Sequence, residues 1–164
     1  MNIVRKLRLC YQREHDFYLR YHQHPVNWML HAFAVPLEWC SFLAALCLLH
    51  NSIPLFVAGL AGAYYVLLLP NILGLFAGLS QISMGFITTY AMSTTFKNHR
   101  ALATGCILCL YCLSWIVQVG FGHWLIEKNE PGMMNKLTVN SVILSPLLAW
   151  HHPSIHNVHI SPSS

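Results

Sequence analysis

Apolar residues fill four stretches of this chain, each ended by a polar or proline-containing break. The first runs roughly from Trp28 to Leu49 and the second over about 55–69. The third runs from about Ile72 to Phe96, and the fourth covers about 101–122 and continues to Glu127. A helix rises 1.5 Å per residue, so about twenty apolar residues cross a hydrocarbon core of about 30 Å. Ahead of them, over 3–21, Leu7, Tyr11, Phe17, Tyr18 and Tyr21 alternate with Arg, Gln, Glu and Asp. That pattern predicts a short amphipathic helix lying at the membrane surface. Pro25 then disfavours helix at His24 and ends it. After Pro131 a shorter apolar helix is expected over about 137–150, followed by a His-, Pro- and Ser-rich tail, His151 to Ser164, expected to be disordered. The pattern predicts one all-α integral membrane domain, residues 1–150, with about four transmembrane helices and amphipathic helical ends. Lipid leaves no other way to pair the backbone of an open chain.

Within these segments three features bear on packing. Pro36 lies inside the first span, where it frees a backbone carbonyl that neighbouring helices must satisfy. The third segment is rich in Gly, Ser and Thr, and Gly74-Leu-Phe-Ala-Gly78 spells a G-x-x-x-G. Cys106, Cys109 and Cys112 stand at i, i+3 and i+6 of a predicted helix, where they read as small apolar residues rather than zinc ligands.

Composition sharpens the membrane reading. The 164 residues are 55% hydrophobic and only 9% charged, well below the roughly 25% charge of soluble domains. The net charge of +4 comes without a basic stripe interleaved with aromatics, so nucleic acid is not an expected partner; the lipid bilayer is. Five of the nine Lys and Arg residues (Arg5, Lys6, Arg8, Arg13 and Arg20) precede the first span, which predicts a cytosolic N-terminus. Four spans then return the C-terminus to the same side and leave Lys97 and Arg100 on the other.

The candidate chemistry lies where polar side chains interrupt the apolar segments. There are eleven histidines. His22 sits just before the first span, His31 about one turn inside it, and His123 near the end of the fourth. In an even-numbered bundle the start of span one and the end of span four share a face, so these residues can meet. His123 and Glu127 are i and i+4 on one helix face. Neutral imidazoles with a carboxylate suit Fe(II) or Zn(II), and open positions on iron would admit O2 and substrate. Asn27 and Gln118 carry amides able to orient ligand histidines, although Asn27 also reads as a cap of the first span. Glu38, seven residues after His31, is expected to be paired or to face the bundle interior. His15, His50 and His99 fall on surface helix or loops.

These same residues carry a family resemblance. Tyr21-His-x-x-Pro-x-Asn-x-x-x-His31 and Trp115-Ile-x-Gln-x-x-x-Gly-His-x-x-x-Glu-x-x-x-Pro131 resemble the paired motifs of the 2-hydroxy fatty acid dioxygenases, over most of residues 11–150. The resemblance implies an iron(II)-dependent enzyme of the endoplasmic reticulum membrane. Its implied reaction is α-oxidation of long-chain 2-hydroxy fatty acids with O2 to acids one carbon shorter, within phytosphingosine breakdown. By position it implies iron on His22, His31 and His123, with Glu127 as a fourth ligand or as the holder of one of them. The chain departs from the family pattern in two places. One extra residue separates Gln118 from His123, turning the amide by about 100° on an α-helix unless a bulge absorbs it. An acid about six residues after the last-helix proline, here Pro146, is replaced by His152.

Two other readings stand beside the enzyme. One is a non-enzymatic scaffold or lipid-binding protein whose histidines hold helices together. The other is a transporter with a His/Glu proton relay, disfavoured because the second and third segments carry no charged residue and no inverted repeat is visible.

Overall fold

In the computed structural model, residues 3–132 and 139–151 are described. The elements are α1 (Ile3–Tyr21), α2 (Pro25–Cys47), α3 (Ser52–Leu68), α4 (Ile72–Thr94), α5 (Arg100–Trp115), a π-helical segment (Ile116–Glu127) continuing α5, and α6 (Val139–Trp150). The described residues contain no strand, as the apolar pattern requires. α2, α4 and the continuous α5–π rod are long and apolar enough to cross a membrane, and α3 is a shorter apolar helix of 17 residues. Large apolar side chains such as Phe33, Ile72, Ile87 and Leu125 stand on the outside of the bundle. In water that surface would be costly; in a bilayer it is the ordinary lipid-facing side of a multi-pass protein.

Local chemistry sets the helix ends. α2 starts at an extended His24, whose Nδ1 accepts the Val26 N–H at 3.2 Å, with Pro25 at the first helical position. Proline suits that position because the N–H it lacks would have no helical partner there. Asn71 caps α4, its Oδ1 accepting the Gly74 N–H at 3.1 Å. Asn27 is not a cap: it lies inside the first turn of α2, and its amide reaches across to the π segment.

α3 and α4 form a tight hairpin. A Cβ placed on Gly62 would come within 2.8 Å of the Gly78 carbonyl, and one on Gly78 within 2.8 Å of the Gly62 carbonyl. The two backbones touch there, which is how small residues bring helices together in lipid. The close contact therefore pairs Gly78 with Gly62 across the hairpin. Gly74, the other end of the G-x-x-x-G, packs instead against the Leu69 carbonyl in the preceding turn.

Pro36 frees a carbonyl in α2, as expected of an intramembrane proline, and that carbonyl finds a partner. A helical residue 36 would donate to Ala32, and proline cannot. The indole Nε1 of Trp150, at the end of α6, donates to the Ala32 carbonyl at 3.2 Å. α6 is further fixed by Tyr65 of α3, whose hydroxyl donates to the Ile143 carbonyl at 2.6 Å. Leu144, Leu147 and Leu148 of α6 share a buried cluster with Tyr11 of α1, Tyr65 and Leu68 of α3, and Ala77 of α4. The amphipathic α1 is thus packed against the bundle on one face. His151, placed with the tail by its composition, ends α6 and packs on α1; residues 152–164 lie outside the described residues.

Candidate metal centre

Three histidines from three different elements converge. His22 follows the end of α1, His31 is on the second turn of α2, and His123 is on the π segment. All three are buried, at 6%, 5% and 2% exposure. Each offers a ring nitrogen, and these atoms lie within 4.8 Å of one another. The rings meet edge to face, with centroids 4.3 Å apart for His22–His31, 4.9 Å for His22–His123 and 5.1 Å for His31–His123. Tetrahedral ligands about 2.1 Å from one ion lie about 3.4 Å apart, so modest ring movements would close the three onto a metal.

Two hydrogen bonds orient the set. Nδ1 of His22 donates to the Tyr18 carbonyl at 2.8 Å, and Nδ1 of His31 to the Asn27 carbonyl at 3.0 Å. Each bond is one helical turn long, so the helices themselves fix the ring. A ring that donates from Nδ1 keeps its lone pair on Nε2, the usual arrangement of a metal-bound histidine. The third ring differs. Nδ1 of His123 is buried with no hydrogen-bond partner among the described residues. Burying a nitrogen in that state is costly unless something else binds it. The donor chemistry and the orphaned nitrogen together fit a metal ion.

Glu127 and Asn27 stand behind the histidines. The Glu127 Oε1 accepts the His24 backbone N–H at 2.7 Å and the Asn27 Nδ2 at 3.2 Å. The carboxylate thus sits on the open N-terminus of α2, where the helix dipole favours negative charge. Asn27 is fully buried, and its backbone carbonyl is the group that holds His31. Among the described residues the three histidines form a group able to hold an ion, and Glu127 sits at the α2 terminus.

The extra residue between Gln118 and His123 is taken up by the π register, which spans Ile116–Glu127. π-helical hydrogen bonds run from i to i+5, so residues five apart stand roughly as residues four apart do in an α-helix. Gln118 consequently reaches the inside of the bundle and is 5% exposed. Its Nε2 donates to Glu38 Oε2 at 3.0 Å, and Trp115 Nε1 donates to Glu38 Oε1 at 3.1 Å. Glu38 is thereby paired, and the amide that could have oriented a histidine engages a carboxylate. The segment closes on Lys128 at φ 56°, a left-handed residue whose N–H bonds the His123 carbonyl. Gly122 lets α2 come close: a Cβ there would run into Asn27 Oδ1 and lie 3.3 Å from His31 Cε1.

A cavity of about 80 Å³ opens beside the histidines. Glu14, Tyr18, Val35, Gln118 and Ser145 are among its other walls. Glu14 is 2% exposed. Tyr18 stacks on His22 with ring centroids 3.7 Å apart. Its hydroxyl is buried without a hydrogen-bond partner among the described residues, and burial raises the phenol above its ordinary pKa, keeping it a donor. The sequence did not single out Glu14 and Tyr18 as site residues, because an acid beside Arg13 and a Tyr on an amphipathic helix read as headgroup-facing. The available signal was spacing: Glu14, Tyr18 and His22 follow one another at i+4 and lie on one face. The three cysteines of α5 form no disulfide, and Cys109 and Cys112 are exposed.

Comparison with known proteins decides the relationship. The sequence model of the 2-hydroxy-palmitic acid dioxygenase Mpo1-like family matches residues 9–154. The chain belongs to the Mpo1-like family. It is 30% identical over 139 residues to the 2-hydroxy-palmitic acid dioxygenase MPO1 of Saccharomyces cerevisiae, covering 79% of this chain and 71% of the yeast protein. No solved structure matches it significantly. In this Mpo1-like chain the matched region includes every residue of the histidine group and the walls of its cavity.

Proposed function

We propose that this protein is an iron(II)-dependent dioxygenase that shortens long-chain 2-hydroxy fatty acids by one carbon, in the endoplasmic reticulum membrane and within phytosphingosine breakdown. The observation that carries the proposal is the buried His22–His31–His123 group, two of its rings already held in the metal-binding tautomer. Family membership and the yeast relative's printed activity support the substrate class. The basic residues of α1 support a cytosolic N-terminus.

His22, His31 and His123 would hold the iron, three imidazoles leaving positions for other ligands. The chemistry that iron supplies when bound is activation of O2 and a Lewis-acid seat for a carboxylate and its adjacent hydroxyl. The chain's own groups do the rest. The Tyr18 hydroxyl is available to donate to the acid head, and Glu14 lines the same cavity. Glu127 and Asn27 act as positioning residues, keeping the first turns of α2, and so His31, in place. Atom balance for R–CH(OH)–COOH with one O2 gives R–COOH, CO2 and H2O.

The test is direct. Protein purified in detergent is assayed for bound iron and then incubated with 2-hydroxypalmitate, O2 and Fe(II). Retained iron and a fifteen-carbon product are expected, and His22→Ala, His31→Ala and His123→Ala should each abolish both in a folded protein. Unequal effects graded by local packing, with no iron bound by the wild type, would favour the scaffold reading instead.

A further inference from the structure

The metal cavity is too small for the substrate proposed for it. Its roughly 80 Å³ compares with the several hundred Å³ usual for a pocket that encloses a drug-sized ligand. It takes an acid head with its hydroxyl, and a long acyl tail has to lie elsewhere. A second cavity of about 210 Å³ adjoins it. Its walls are Val35, Glu38, Trp39 and Phe42 on α2, Tyr111 on α5 and Ser145 on α6. Val35 and Ser145 line both spaces. The two spaces therefore meet at a shared wall, Val35 and Ser145, and the second lies in a groove between α2 and α5.

Resting on the dioxygenase reading, we infer that this groove is the acyl-chain site and that Phe42 and Tyr111 at its far end set the preferred chain length. Three observations name a lipid tail as the occupant. The lining is mostly apolar and aromatic, and Phe42 and Tyr111 are 44% and 42% exposed on the lipid-facing side. The groove thus opens sideways into the membrane, where long-chain acids reside. His31 to Phe42 spans eleven residues of one helix, about 16 Å of rise, close to the roughly 15 Å depth of one bilayer leaflet. The polar wall also fixes the direction of entry. Glu38 accepts hydrogen bonds on both oxygens, from Trp115 and Gln118. It is a carboxylate on the groove wall, so a second carboxylate is repelled there and a methylene chain is not. The head is left to seek the histidines.

Two measurements test the site. A 2-hydroxy fatty acid with a photoactivatable diazirine at its terminal carbon is irradiated with the full-length protein, with and without iron. Labelling is expected within Trp39–Phe42 of α2 and around Tyr111 of α5, and competition by unlabelled 2-hydroxypalmitate should remove it. Label on α3 or α4 instead, or label that does not compete, overturns the groove. The second measurement compares kcat/KM for sixteen- and eight-carbon 2-hydroxy acids. Tyr111→Trp and Phe42→Trp should lower the sixteen-to-eight ratio by about ten-fold or more, a selectivity typical of apolar pockets changed by a methylene or more. Phe42→Ala should shift the optimum to longer chains. A ratio unchanged in all three variants overturns the assignment of Phe42 and Tyr111. If the wild type converts no 2-hydroxy acid of any length, the dioxygenase reading fails, and photolabelling still decides whether the groove holds an acyl chain.

Discussion

Asn27 and Glu127, one hundred residues apart, are joined by a 3.2 Å hydrogen bond from the amide to the carboxylate. The same carboxylate oxygen accepts the His24 N–H at 2.7 Å, while the Asn27 carbonyl holds His31. The end of the π segment is thereby tied to the start of α2, and both carry a histidine of the metal centre. Glu127→Ala should remove this tie without removing a ring. The expected result is a metal affinity lower by about 10–100-fold, the usual cost of losing a group that orients a ligand. Glu127→Gln retains an acceptor oxygen and should lose less. Competition titrations with Co(II), followed by its absorption, measure both; equal loss in the two variants would instead make the charge, and hence direct ligation, the decisive property.

Gly122 should tolerate no side chain. A Cβ there would collide with Asn27 Oδ1 and crowd His31. Overpacking in a filled interior costs about 1–3 kcal/mol, and here it would also push α2 away from the π segment. Gly122→Ala should lower the melting temperature in detergent and weaken metal binding together. Gly105 has open space around its Cβ position and provides the control, since Gly105→Ala should be neutral or stabilising. A Gly122→Ala protein with native metal affinity would show that the approach of α2 is not tight.

Much of this arrangement was legible in the sequence because membranes make polar residues conspicuous. Histidines at the margins of apolar segments mark a site before any fold is known, and the even number of segments brings His22, His31 and His123 to one face. The elements followed too, from apolar runs cut by Pro25, Pro70 and Pro131. What was not legible depends on partners distant in sequence. Asn27 near a helix start looks like a cap, but a buried amide responds to the carboxylate opposite it, which lies one hundred residues away. No periodicity announces a π register, so the extra residue before His123 read as an amide turned out of step. Glu14 and Tyr18 were hidden by an amphipathic helix, whose two faces can be assigned only when its partner is known.

The indole of Trp150 replaces the helical donor that Pro36 denies to Ala32. Removing it leaves a carbonyl in the bundle without that donor. Trp150→Phe keeps most of the ring and should destabilise the protein by about 1–3 kcal/mol, the cost of a buried acceptor left unsatisfied. Pro36→Ala restores the backbone donor and should offset most of that loss in the double variant. Thermal unfolding of the four proteins forms the cycle. Simple additivity would mean that the two residues do not share the Ala32 carbonyl.

Acid should loosen α6 from α1. His151 Nδ1 is hydrogen-bonded to the Tyr11 hydroxyl, its backbone carbonyl accepts from His15 Nε2 at 2.8 Å, and the His15 and His151 rings stack with centroids 4.4 Å apart. Burial, and then the neighbouring His15, lowers the His151 pKa below its ordinary 6.5. Burial also raises the Tyr11 phenol, which therefore stays a donor and needs a neutral imidazole as acceptor. With the pKa depressed in the docked state, the undocked state binds more protons just below pH 6.5, so stability falls as pH falls. The contribution is whole above about pH 6.5 and fades as the pH drops through the lowered value. Hydrogen exchange of α6 amides should thus speed up between pH 7.5 and 5 beyond the intrinsic change in exchange rate. His151→Gln should reduce that excess. An excess that persists in the variant would place the acid-sensitive group elsewhere, and none in the wild type would mean that this contact does not limit the opening of α6.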